Sequence, residues 1–394
     1  MDSPVGGFRT PDEVAAAETP KDLSEQTPPT ASGFQAPQVD SSQRQKPKLH
    51  WPPSKKQWLI IVGVLVLAGL IAGGFIMTNQ PKKAVVVQQT KRVAKPAPPK
   101  TVASTLSGLQ VDPAVNLRTV TGVMIENSLD SRPQSGLSQA GVVFEAIAEG
   151  GITRFLALFQ DTAPADIGPI RSARPYYVQW ALGFDAAYAH VGGSPEALAN
   201  IRAWGVKDLD QFANSGAYHR ISSRAAPHNV YSSIATLNQL EASKGYIGSI
   251  FTGFSRKPAA PTKQPNPTKI DLALSGPLYN VHYDYKKESN TYDRSQGGGP
   301  HIDANGSTQI SPSVVIALVI PYGIKSDGHS DYATIGSGPV YIFQDGIVVT
   351  GTWTKASEKS QFVFADAAGK PITLNPGQTW VTALSSTSKI SYTP

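Results

Sequence analysis

The 394-residue chain contains no cysteine. That absence excludes disulfides, thiolate nucleophiles, zinc ribbons and a lipid-modified cysteine anchor. It leaves the redox compartment open, although a cysteine-free chain suits an oxidising exterior. Internal repeats are also missing, and so is the GxSxG nucleophile elbow. Polar side chains are absent from one long stretch: Trp58 to Met77 carries no charged, amide or hydroxyl group. At 1.5 Å per helical residue that run spans roughly 30 Å, the thickness of a bilayer's hydrocarbon core. It begins too deep in the chain for a cleaved signal peptide. A single transmembrane helix acting as a signal anchor is expected, with a short tail in the cytosol and the larger part outside.

The formal charge of +6 invites a nucleic-acid reading until it is divided along the chain. Residues 1–57 hold seven basic and seven acidic side chains, and residues 108–394 hold twenty-two of each. The excess lies wholly in residues 78–107, where Lys82, Lys83, Lys91, Arg92, Lys95 and Lys100 occur without an acid. Such a segment favours anionic headgroups or wall polymers, and no nucleic-acid partner is expected. The resulting organisation is a disordered tail (1–57), the apolar helix (58–77), a basic Pro/Lys linker (78–107), a mixed N-terminal half (108–254), an exposed loop (255–269) and a strand-rich C-terminal half (270–394).

In the first half, Thr119–Ile125, Val142–Ala148 and Thr153–Gln160 read as strands, with Gly150 and Gly151 as a two-residue hairpin loop. Helices are expected at 175–187, 195–204 and 232–244, each opened by Pro or Ser. The second half alternates or runs apolar at 278–285, 313–320, 339–343, 347–353, 361–364 and 379–384. Helices beside antiparallel strands indicate an α+β class.

The hairpin register would place Glu145, Glu149 and Arg154 on one side of the ribbon. The two acids would then stand about 13 Å apart, too far for a glycosidase pair, so a salt-bridge cluster is the simpler expectation. Arg171 and Arg174 precede Pro175 at a helix start, where guanidinium forks beside free amides form an anion cradle. His190, Gly192, Gly193, Ser194 and Pro195 read as a strand end, a glycine turn and a capped helix; Ser194 is a cap and His190 a candidate general base. Arg220, Arg224, His228 and Asn229 gather in one loop-like stretch together with His219. His219 and His228 lack a zinc-helix spacing, His301 with Asp303 adds only a weak pair, and no metal or cofactor is expected.

Four segments carry a family resemblance: RPQSGLSQAGVVFEAIAEGGITRFLALFQ (132–160), IGPIRSARPYY (167–177), HVGGSPEAL (190–198) and APHNVYSS (226–233), followed later by GSGPVYIF, TWTK and LNPGQTW. In these the chain resembles the YerB-like family of bacterial membrane-anchored proteins, a domain of unknown function with a C-terminal companion domain. The resemblance implies a layered, sandwich-like α+β domain on the outer surface of the cell membrane. Family members are often lipoproteins, whereas this chain lacks the cysteine. No activity is transferable residue by residue. The function expected is that of an extracytoplasmic cell-envelope protein binding an anionic wall polymer, a lipid-linked precursor or a wall-synthesis protein through its arginines. Two alternatives stand beside it: an envelope hydrolase using His190 or His228 as base, with Glu145 or Glu149 as further candidates, and a non-catalytic scaffold.

Overall fold

A computed structural model describes residues 62–63 and 100–394. The tail, the apolar run apart from Val62 and Gly63, and the linker up to residue 99 lie outside the described residues. Among the described residues no helix is long and apolar enough to cross a membrane. The single spanning helix of the expected architecture falls outside the described residues apart from Val62 and Gly63, and the described helices do not support it.

Fifteen strands make two sheets. The first half contributes β1 (Thr121–Glu126), β2 (Val142–Glu149), β3 (Ile152–Phe159), β4 (Ala187–Ala189) and β5 (Lys207–Asp208). The second contributes β6 (Lys269–Leu272), β7 (Val281–Lys286), β8 (Thr291–Gln296), β9 (Gly299–Pro300), β10 (Val314–Val319), β11 (Gly336–Gln344), β12 (Ile347–Lys355), β13 (Val363–Asp366), β14 (Thr379–Leu384) and β15 (Ile390–Thr393). A ten-stranded mixed sheet runs β13-β12-β11-β10-β14-β2-β3-β1-β4-β5. It joins the two halves through parallel pairing of β14 with β2, Thr379 opposite Val142 and Thr382 opposite Glu145. The smaller sheet runs β9-β8-β7-β6-β15.

Alternation along the central strands builds a core on each face of the large sheet. Phe144, Ala146, Leu156, Ile316 and Leu318 face the helices α1 (Pro175–Leu182) and α2 (Pro195–Trp204). Val143, Phe155, Ala157, Val315 and Ala317 face α3 (Ile234–Ser243) and the small sheet's Ile270, Tyr283 and Tyr292. The architecture is therefore layered but sheet-rich, which corrects the α+β expectation: the α-helices within residues 100–394 are three, of 8, 10 and 10 residues. The first expected helix stops early for a local reason. After Leu182 the chain turns through Asp185 at φ +48°, and the fully buried Ala187-Tyr188-Ala189 enters the sheet parallel to β1. A continuous run of buried side chains suits a strand covered on both faces.

The β2–β3 hairpin departs from a regular ladder in one place. Glu149 stands opposite Ile152, but Ile147 stands opposite Thr153 and Glu145 opposite Phe155, so Ala148 is an extra residue in a β-bulge. Backbone groups beside the bulge are satisfied by tyrosine hydroxyls. Tyr176 Oη donates to Ile147 O at 2.6 Å, Tyr177 Oη accepts from Ala146 N at 3.0 Å, and Tyr332 Oη accepts from Ile147 N at 3.1 Å. The one-residue insertion moves Glu145 and Glu149 to opposite faces of the sheet. The expectation that both share a side with Arg154 is corrected by that bulge.

Candidate functional site

Arg154 and Glu149 lie on the face covered by α1. Arg154 Nη2 donates to Glu149 Oε1 at 2.5 Å, and Arg154 Nε stands 3.6 Å from Glu126 Oε2 at the end of β1. Arg174 Nε donates to Glu149 Oε2 at 2.8 Å, and Arg171 Nε closes the other end on Glu126 Oε2. The result is a five-membered ladder of three guanidinium groups and two carboxylates. Burial opposes ionisation of Glu126, but Arg154 and Arg171 outweigh it and hold the carboxyl below its ordinary range. Burial likewise opposes charge on Glu149, where Arg154 and Arg174 prevail. Arg154 and Arg174 are thereby committed internally. Arg171, at the ladder's end, reaches the surface.

On the opposite face Glu145 is fully buried, and Arg294 Nη2 donates to both of its carboxylate oxygens at 3.0 and 2.8 Å. Trp380 Nε1 and Thr153 Oγ1 also donate to it, at 3.0 and 3.3 Å. Arg294 in turn reaches His301 Nδ1, and His301 Nε2 meets Gln134 Oε1 at 3.0 Å. Burial first, then the positive charges of Arg294 and Arg132, pushes the imidazole of His301 well below its ordinary pKa and keeps it neutral. Asp303 accepts backbone amides from Gly136, Ser138 and Asn305 at 3.0, 2.6 and 2.8 Å, a structural use of a carboxylate.

Arg171 lines a cleft of about 460 Å³ together with Gly192, Gly193, Asp210, Phe212 and Arg220. Gly192 needs its left-handed backbone at φ +55°, and a Cβ there would press on the Phe212 ring at 3.1 Å. Phe212 itself is 73% exposed at the cleft mouth. An adjoining cleft of about 640 Å³ is lined by Asp130, Arg132, Ser223, Arg224 and His228, and Ala226 borders both. Glu126 links them chemically. Its Oε1 accepts from the amides of Asn127 and Ser128 at 2.9 and 3.3 Å, and Ser128 Oγ lies 3.1 Å from His228 Nδ1. The Arg171 loop and His228 thus converge, whereas Arg174 stays in the buried ladder.

Three arginines at these clefts give their hydrogen bonds to neutral oxygens. Arg220 donates to Asn229 Oδ1 at 2.6 Å, Arg224 to Pro133 O at 2.8 Å and to Asp130 O, and Arg132 to Asn127 Oδ1, Asn127 O and Leu278 O at 3.0–3.1 Å. Arg132 is also stacked 5.2 Å from the Tyr279 ring centroid. None of the three forms an ion pair among the described residues. Against Arg171 and these three stand Asp130, Asp210 and a Glu126 shared with Arg154, so the paired clefts carry surplus positive charge.

His190 is enclosed. Its Nδ1 meets Gly192 O at 2.7 Å and its Nε2 meets Asp208 Oδ1 at 3.0 Å, so it braces the glycine turn. Ser194 caps α2 by accepting from Ala197 N at 3.3 Å. His219 is exposed, 3.9 Å from Asp166. Among the described residues no group of three or more His, Asp or Glu side chains is placed to hold a metal. Glu126, Arg132, Asp210 and Phe212 were not singled out by sequence. Only Glu126 left a trace, as the charge that ends the buried run Gly122–Ile125.

These features define a sheet-rich, layered domain with an arginine-lined double cleft. Comparison with known proteins gives it a family: residues 106–247 match "Protein of unknown function (DUF3048) N-terminal domain" and residues 270–381 the corresponding C-terminal domain, and the chain belongs to this YerB-like family. It is 30% identical over 331 residues to "Putative lipoprotein YerB" of Bacillus subtilis (strain 168), covering 83% of this chain and 95% of that protein. The crystal structure of YerB protein from Bacillus subtilis matches with a TM-score of 0.67 at 29% identity, covering 74% of this chain and 100% of that one.

Proposed function

We propose that this chain is an envelope-associated binding protein whose double cleft takes an anionic, phosphate- or carboxylate-bearing ligand such as a wall polymer or a lipid-linked precursor. The observation that carries the reading is the surplus of guanidinium groups: Arg220, Arg224 and Arg132 hold only neutral oxygens, beside Arg171 at the end of the ladder. Guanidinium forks with free donors suit planar or tetrahedral oxyanions. Phe212 at the mouth offers an apolar face to a sugar or isoprenoid neighbour of the anion. The description of the Bacillus subtilis relative as a lipoprotein supports a membrane-associated place for this domain on the outer side of the cell. The test is binding of the full-length chain to a purified anionic wall polymer. Arg220→Ala with Arg224→Ala lowers the affinity on the order of tenfold or more and flattens its salt dependence. Unchanged affinity and salt dependence would reject the site.

One observation favours a second reading. Ser128 Oγ and His228 Nδ1 form a hydrogen-bonded pair beside Arg224, the juxtaposition a hydrolase would use for nucleophile, base and charge stabilisation. Covalent labelling by a fluorophosphonate that disappears in Ser128→Ala would support this reading, and the absence of labelling in the native chain would dismiss it.

A further inference from the structure

Beside the point where the chain enters the domain, three large aliphatic side chains stand in solvent: Leu117 is 77% exposed, Ile247 93% and Ile250 92%. Their projection is built in. The loop carrying the isoleucines is pinned on both sides: Thr119 Oγ1 donates to Tyr246 O and accepts from Gly248 N, each at 3.0 Å, Ser249 Oγ accepts from Val120 N at 2.8 Å, and Asp185 Oδ2 accepts from Ile250 N at 2.8 Å. Lys207 Nζ adds a bond to Gly248 O at 2.9 Å. Gly248 sits at φ +74°, and a Cβ on it would meet Leu117 O at 2.9 Å, so the two segments touch and only glycine fits between them. A frayed loop would fold such side chains back onto the core. This one is held with them outward.

The surroundings say what covers them. Arg118 and Lys244 flank the tips, both exposed and without an ion pair among the described residues. The entering chain lies alongside: Asn116, next to Leu117, donates to Ala103 O and accepts from Thr105 N, each at 2.9 Å. Immediately upstream in sequence come Lys82, Lys83, Lys91, Arg92, Lys95 and Lys100 with no acid. Separate aliphatic tips with basic neighbours and a polybasic approach match an anionic bilayer surface, where apolar groups enter the acyl boundary and cations meet the headgroups. A protein interface would favour aromatic anchors in a packed centre.

We propose that Leu117, Ile247 and Ile250 dip into the headgroup–acyl boundary of an anionic membrane and lay this face of the domain on it. The inference is independent of the arginine clefts. Because the chain has no native cysteine, Ile250→Cys carries a single environment-sensitive nitrobenzoxadiazole label in the full-length protein. With vesicles of phosphatidylglycerol and phosphatidylcholine, the label should shift to the blue and be quenched by brominated acyl chains. A label at the exposed Glu288, between β7 and β8, should do neither. Adding Leu117→Asp and Ile247→Asp should abolish the shift at position 250. A label that stays in water with these vesicles overturns the proposal, as does a lipid-free shift that grows with protein concentration, which would assign the face to a second copy. Equal quenching in pure phosphatidylcholine would overturn the role given to the basic rim.

Discussion

Replacing Arg294 by methionine isolates the contact that ties the two sheets together. Arg294 is on β8 of the small sheet and Glu145 on β2 of the large one, and both side chains are fully out of water. Methionine keeps much of the aliphatic volume beneath the Trp380 and Phe155 rings, over which the guanidinium lies at 4.5 and 5.7 Å. It leaves the Glu145 carboxylate with only Trp380 Nε1 and Thr153 Oγ1 as donors. Removing one partner of a buried ion pair costs about 3–5 kcal/mol, because the survivor keeps its desolvation cost and loses its counter-charge. Urea titration followed by tryptophan fluorescence measures this as a lower midpoint at unchanged slope. The double variant Glu145→Gln with Arg294→Met removes the stranded charge. It should lose less than the sum of the single variants by about 2 kcal/mol or more. A loss below about 1 kcal/mol for Arg294→Met, or additive losses in the cycle, would refute the view that this pair is a desolvated tie rather than a hydrated contact.

Three further outcomes are expected. Glu241 is buried on α3 with only Thr121 Oγ1 at 2.7 Å and a distant Lys207 to favour its charge, and burial raises its pKa to about 7. A carboxyl whose folded pKa exceeds its unfolded value loses stability as the pH rises from the unfolded value through about 7, so Glu241→Gln should stabilise by about 1–2 kcal/mol more at pH 8 than at pH 5, as thermal melts at the two pH values will show. His301 behaves in the opposite sense. Its folded pKa lies well below the unfolded value, so the unfolded chain binds the extra proton and stability falls as pH drops below about 6.5, at up to ~1.4 kcal/mol per pH unit. His301→Gln should flatten that limb in denaturant titrations between pH 6.5 and 5. Ser194→Ala should cost about 1 kcal/mol through the lost cap on α2, read by urea titration, and leave polymer binding by the clefts unchanged.

Much of the sheet was legible because burial writes itself as apolar runs and alternation. Val142–Glu149, Val314–Val319 and Thr379–Leu384 are strands close to where those patterns lie, and the turn at Gly150–Gly151 follows from two adjacent glycines at positive φ. The partners of those strands were not legible. Nothing in Thr379–Leu384 says that it will lie parallel to Val142–Glu145, more than two hundred residues earlier, since parallel pairing has no local turn to announce it. Ala187–Ala189 was hidden for another reason, as the alanines on either side of Tyr188 suit a helix until a turn at Asp185 and cover on both faces select the strand. For the site, Arg171, Gly192, Gly193, Arg220, Arg224 and His228 could be named as loop-borne polar groups beside turns. Arg174, three positions from Arg171, could not be told apart from it without knowing which one meets Glu149.

The decisive unread feature is Ala148. One extra residue in β2 rotates Glu149 toward Arg154 and Arg174 while leaving Glu145 for Arg294 and Trp380. Had the hairpin stayed regular, both acids would have faced the same layer as Arg154. The three guanidinium groups of that layer would then meet three carboxylates, counting Glu126, and no positive charge would remain to reach Arg171 at the surface. With the bulge, two carboxylates serve three guanidinium groups. The imbalance is passed along the ladder to Arg171, where the chain also places Arg220, Arg224 and Arg132 on neutral oxygens. The same insertion therefore fastens the small sheet from one face and charges the clefts from the other.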